Sequence, residues 1–187
     1  MNDGLPFPLS GSTLVTGPSN VGKTRLTARA LDEWVSAHSP DAVVVFEFGP
    51  EYEHGGRILG RRLSRFTDIP DEVCYSVLDA RAPRAESTSE RELLQLAREN
   101  ATGAERLLDR APQSPVAVFV NDTTIGFQHE ESDVSRLVAY CDRARCSVLN
   151  AFESDELGTD DPVSRQEHAT LASLKACTDR TVTLGTD

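Results

Sequence analysis

Eight consecutive residues, Gly17-Pro18-Ser19-Asn20-Val21-Gly22-Lys23-Thr24, fit the pattern G-x-x-x-x-G-K-[ST] at every fixed position. The chemistry this pattern performs is the holding of phosphate. Glycines let the backbone curl until successive N–H groups point inward at anionic oxygens, and a following helix adds its positive N-terminal end. Lys23 is expected to reach the β- and γ-phosphates, and Thr24 to offer its hydroxyl to a magnesium ion. With Arg25 next in line, Gly17 to Arg25 is the candidate nucleotide-contacting run. A lone glycine-rich turn would explain the glycines but not the lysine and threonine that follow them.

A phosphate loop needs a carboxylate on the metal side. "PVAVFVND" supplies one: an apolar run, Pro115 to Val120, that ends in Asp122. Asn121 is an unusual polar residue just before that position, and Thr123 follows, so no Asp-Glu pair provides a base. The second apolar run, Ala42 to Phe48, carries Glu47 and leads to Glu51 and Glu53 in "FEFGPEYE". Glu51 is the first candidate for the group that activates water and Glu47 the second, because a carboxylate inside an apolar strand is costly to bury unpaired. A solvated acidic loop is the plainer explanation of Glu51 and Glu53.

Positioning these groups requires alternating strands and helices. "STLVT" (Ser12 to Thr16) reads as the strand before the loop, and Gly22 to Ala37 as the helix after it, with Leu26, Ala30, Leu31 and Trp34 on one face. Further strands are expected at 42–48, 73–79, 115–120, 146–152 and 180–184. Helices are expected at Arg57 to Phe66, from Ser87 or Ser89 onward with Gly103 as a weak point, at 133–143, and from a cap at Ser164. The continuous apolar strands predict burial on both sides. The expected fold is a three-layer α/β domain spanning 1–187, a mostly parallel central sheet with helices on both faces.

With these motifs in place, the chain resembles RecA-like ATPases, and within them the KaiC-like branch. The likeness rests on the phosphate loop, on "FEFGPE" after the first helix, and on the closing "SVLNAFES", helix and "RTVTL". It implies a P-loop NTPase fold, ATP and Mg2+ as cofactors, a glutamate after the second strand that polarises the attacking water, and Asn150 as a γ-phosphate sensor. It is also compatible with a homo-oligomer in which an arginine, from Arg57, Arg61, Arg62, Arg65 or Arg180, acts on a neighbour's nucleotide, although a solvated face is the plainer explanation of so many arginines. Two alternatives stay open: a small-molecule or nucleotide kinase whose "GRILGRRLSRF" and "DARAPRAES" segments grip an acceptor, and a nucleotide-binding switch with little turnover. The absence of N-K-x-D disfavours guanine and leaves adenine as the expected base.

Bulk properties narrow the partners. Thirty acidic residues face nineteen basic ones, a net charge of −11, and only Lys23 and Lys175 are lysines. Such a surface resembles halophilic proteins, in which salt screens self-repulsion. It argues against a broad nucleic-acid face, so a protein or DNA partner is not specified. His38, His54, His129 and His168 fall in no metal-ligand spacing, and four scattered cysteines read as reduced thiols. No apolar run approaches the ~20 residues that span a bilayer, and no basic leader precedes one, so a cytoplasmic protein without membrane partners is expected.

Overall fold

A computed structural model of the chain describes residues 4–54 and 57–185. Six strands form one all-parallel sheet in the order β5-β2-β6-β7-β1-β8. In chain order these are β1 (Gly11–Gly17), β2 (Val43–Glu47), β5 (Cys74–Val77), β6 (Ala117–Asn121), β7 (Cys146–Phe152) and β8 (Arg180–Thr183). A separate antiparallel pair joins β3 (Tyr52–His54) and β4 (Arg57–Leu59). The helices are α1 (Lys23–Ala37), α2 (Pro83–Glu86), α3 (Glu90–Arg110), α4 (Ser135–Cys141) and α5 (Pro162–Cys177).

The sheet divides the core in two because side chains alternate across it. Leu14, Val44, Phe46, Val118 and Val120 face α3, α4 and α5, meeting Ala104, Leu108, Leu137, Leu171 and Leu174. Val15, Val43, Val45 and Phe119 face the other way and meet Ala28, Leu31 and Trp34 of α1. Helices on both faces of a parallel sheet make the expected three layers. Central strands β2 and β6 are buried at every residue, whereas the edge strands β5 and β8 are only partly covered.

Three local expectations change. Arg57 to Phe66 is not a helix: after β4 the chain turns at Gly60 (φ +67) and forms only a 3-10 turn at Leu63–Arg65. A Cβ at Gly60 would lie 1.8 Å from the Pro50 carbonyl oxygen, so the chain folds back on itself where a helix would have continued. Gly103 is no weak point in α3; a Cβ there would meet Leu78 Cδ1 at 2.4 Å, and its absence lets the helix sit close to the sheet. The α5 cap is Asp161, which accepts the Ser164 amide at 2.9 Å, with Pro162 in the first turn. For α3 the cap is Ser89, accepting the Glu92 amide at 3.2 Å.

The earlier start of α5 sets Glu167 inside the helix and turns it inward. Its carboxylate pairs with Arg84 of α2 and accepts Thr124 Oγ1 at 2.7 Å and Gln128 Nε2 at 3.0 Å. One buried acid thus joins α2, α5 and the turn after β6. Cys141 and Cys146 are buried, Cys74 is half-buried and Cys177 exposed. Among the described residues no helix is long and apolar enough to cross a membrane. Glu167→Ala strands three donors at once and is expected to lower unfolding free energy by about 2–4 kcal/mol in urea titrations, with Glu167→Gln closer to the parent.

Candidate functional site

The site lies at the carboxyl ends of the parallel strands, where sheets of this kind bind ligands. β1 ends at Gly17, and the loop to α1 passes through left-handed conformations at Asn20 (φ 62) and Gly22 (φ 99). Left-handed residues spaced this way turn successive amides toward one side and form an anion-binding concavity. Gly22 caps α1 with no side-chain hydrogen bond, and no acidic residue occupies the first turn. The positive end of the helix is therefore left to other acceptors.

Lys23 is buried, with its ammonium 6.0 Å from the centre of the Phe152 ring and hydrogen-bonded to the Pro18 carbonyl oxygen. Burial lowers its pKa, and the negative charges of Asp122 and Glu156 oppose that shift. Thr24 is half-buried in the same turn, whereas Arg25 is exposed and stacks its guanidinium 5.5 Å from the Phe66 ring centre. Arg25 thus lies on Phe66, while the loop and Lys23 line the concavity.

Asp122 follows β6 in a left-handed conformation (φ 52, ψ 52). Its amide donates to Asn150 Oδ1 at 2.9 Å. Its carboxylate lies against Gly49, where a Cβ would meet Oδ2 at 2.1 Å. Burial pushes this carboxyl up to about 6, Lys23 pulls it down, and Glu167 adds to the rise. No hydrogen bond from the described residues steadies the ionised form. A carboxylate desolvated without donors and set in the field of an ammonium is chemically suited to a cation.

Glu47 ends β2 and is fully buried. Oε1 accepts the Leu63 amide at 2.6 Å and the Tyr75 hydroxyl at 3.2 Å, and Oε2 accepts Asn121 Nδ2 at 2.8 Å. Asn121 Oδ1 in turn accepts Asn150 Nδ2 at 2.8 Å, and Asn150 Nδ2 also donates to Thr27 Oγ1 at 2.9 Å. Thr27 donates to the Lys23 carbonyl oxygen at 3.0 Å, which closes the chain onto the first turn of α1. Burial raises the Glu47 pKa to about 7; the Leu63, Asn121 and Tyr75 hydrogen bonds lower it, and Asp122 adds to the rise. The unusual Asn121 is accounted for, because its carboxamide donates to both Glu47 Oε2 and the Arg61 carbonyl oxygen while accepting from Asn150.

The structure places Asp122 within electrostatic range of Lys23 on one side and of Glu47 on the other. Glu51 stands apart from them: it pairs with Arg65, whose hydrogen bond holds its carboxyl below the usual range. Asn150 has both polar atoms engaged inside the protein. Arg180 donates to the Ser10 carbonyl oxygen and to Thr13 Oγ1, so it fastens β8 to the start of β1. Arg81 pairs with Glu86 at the surface, and Arg84 pairs with the buried Glu167. The side chains of Glu53, His54 and Arg57 lie outside the described residues.

Two contributors escape a reading of sequence. Gly49 matters only through its approach to Asp122. Glu156 belongs to an acidic loop, "ESDELGTDD", in which nothing distinguishes it from its neighbours, yet it touches the loop between β1 and α1 directly: Ser19 N–H donates to Glu156 Oε1 at 2.8 Å.

The chain matches no protein-family model and no curated protein sequence. Among solved structures it is similar to the Pif1 helicase from Candida albicans, with a TM-score of 0.43 and 11% identity, covering 95% of this chain and 36% of the helicase. The chain thus spans about a third of the length of that protein.

The pKa values of Glu47 and Asp122 make stability depend on pH. Each is raised in the folded chain, from 4.5 to about 7 and from 3.8 to about 6. Between those limits the native state keeps a proton that the unfolded state has released, so stability is greatest below the lower value and falls as pH rises through the upper one. Urea unfolding is expected to weaken by about 1–3 kcal/mol between pH 5 and pH 8, and Glu47→Gln to flatten that slope whatever its effect at a single pH. A slope equal in the two proteins would remove Glu47 as its source.

Proposed function

We propose that this chain is a magnesium-dependent ATP-binding protein of P-loop NTPase type, with a RecA- or KaiC-like ATPase activity that couples hydrolysis to a conformational change. The observation that carries the reading is the meeting of Lys23 and Asp122. They come from opposite sides of β7, one from the uncapped helix start after β1 and one from the turn after β6, and each shifts the titration of the other. A buried ammonium beside inward-turned amides suits the phosphates, and a donor-poor carboxylate suits the cation that accompanies them. Thr24 and Asp122 would hold that Mg2+, which when bound neutralises charge on the phosphates. Adenine is the base favoured by the lack of a guanine-reading motif.

Two carboxylates compete for the role of base. Glu47 has the better titration range, because a group near 7 both accepts and releases a proton at neutral pH. Glu51 is closer to the sequence expectation but is neutralised by Arg65. In this arrangement Glu47 is occupied by three donors and Glu51 by an arginine, which favours slow turnover in the chain alone and acceleration by a partner that rearranges the 47–65 segment. A second copy of the chain or another protein or DNA partner would serve that purpose.

Calorimetry with ATP and Mg2+ in molar KCl tests the reading. Lys23→Ala is expected to abolish measurable binding, a loss of at least about a hundredfold. Asp122→Asn is expected to retain nucleotide binding but to lose most of its magnesium dependence. Phosphate release assigns the base: the carboxylate whose replacement by Gln slows release by about 10²-fold or more, with binding intact, is the one that handles the water. An unchanged heat of binding in Lys23→Ala would remove the phosphate loop from the mechanism.

A further inference from the structure

We infer that Glu156 is an internal competitor for the phosphate cradle and sets its affinity for nucleotide. The inference rests on the phosphate-binding reading above and adds to it a residue that regulates the same site.

The Ser19 amide belongs to the loop whose N–H groups are turned toward an anion. Here it donates to Glu156 Oε1 at 2.8 Å. A carboxylate oxygen and a phosphate oxygen are the same kind of acceptor for an amide, and both cannot occupy one N–H. Nucleotide must therefore displace Glu156 or forgo Ser19.

The segment carrying Glu156 is built to stand beside the loop and to leave it. Its first residue is anchored, because the Glu153 amide donates to the Gly17 carbonyl oxygen at 3.0 Å and Glu153 pairs with Lys175. Its far end is fixed by the Asp161 cap of α5. Between these anchors the chain makes a turn in which the Gly158 amide donates to Asp155 O at 3.0 Å, with Gly158 at φ +92 and no atom within 4 Å of its Cβ position. Leu157, beside Glu156, is 48% exposed, the one large apolar side chain so open among the described residues. The Glu156 amide donates to Ser154 Oγ at 3.2 Å and Asp155 faces His168 of α5 at 3.8 Å, but the Glu156 carboxylate itself is held by the Ser19 amide, on an exposed stretch with little packing to resist its departure.

When a competing internal ligand occupies a site, apparent affinity is multiplied by the fraction of molecules left open. Glu156→Ala is expected to bind Mg·adenylyl imidodiphosphate and Mg·pyrophosphate about tenfold more tightly than the parent, as for a site open in about one molecule in ten. In the nucleotide-free protein the Ser19 amide resonance is expected to shift on this substitution, and the thermal midpoint to stay put because the loop is exposed. Affinities within twofold of each other, or an unmoved Ser19 resonance, would overturn the competition while leaving the phosphate-binding reading intact. Failure of both proteins to bind either probe would overturn that reading and this one together.

Discussion

Everything at the site depends on closing one hydrogen-bond chain in a place with no water to help. A carboxylate and two carboxamides sit at the ends of three neighbouring strands, all essentially fully buried. A buried polar group without a partner costs about 1–3 kcal/mol, and an ionised one more. Glu47, Asn121, Asn150 and Thr27 avoid most of that penalty by satisfying one another. The chain runs from the edge strand β5, through Tyr75, to the first turn of α1, through the Lys23 carbonyl oxygen. A lateral branch holds the Asp122 amide. The same set of bonds thus ties the loop after β1 to the Asp122 turn after β6, two elements separated in the sheet by β7.

That chain explains why β7 lies where it does. β1 and β6 both pair with β7, in registers that set Asn150 beside Val15 and leave it one residue beyond the Val120–Leu149 pair. Asn150 therefore reaches Thr27 on one side and Asn121 on the other. An apolar residue at 150 would keep the strand and lose the connection. The polar strand end is a tie between neighbours rather than a finger toward ligand.

Much of this was legible in the sequence, and for a physical reason. Continuous apolar runs such as "AVVVF" and "VAVFV" have one comfortable environment, a parallel sheet covered on both faces, and the glycine loop has one comfortable position, between strand and helix. The layers and the six strands of the main sheet follow from such local constraints, whereas the β3–β4 pair does not. What was not legible depends on distant atoms. Gly60 breaks the expected helix because Pro50 passes over it, Gly103 fits Leu78, and Gly49 fits Asp122. Nor does the order of residues reveal that Arg65 would engage Glu51, or that one glutamate in a run of acids would lie on the Ser19 amide. Composition even misleads here, since a chain so acidic offers many carboxylates of which few have any local purpose.

The proposed function requires a chain with a net charge of −11 to hold a polyanion. Long-range repulsion is short-lived at high ionic strength, where the Debye length drops to about 3 Å at 1 M. What persists is contact-range electrostatics, and within that range the sign is reversed by amides, the helix end and a buried ammonium. The nearby acids are restrained by the same burial that makes them useful. Asp122 titrates at about 6 and Glu47 at about 7, so near neutrality they carry less negative charge than surface acids would. A divalent cation against Asp122 favours its ionised form and so competes with the proton. Under the proposed function, a proton or cation at Asp122 and the Glu156 carboxylate at the Ser19 amide would share one small electrostatic region, and an entering nucleotide would have to rearrange all of them.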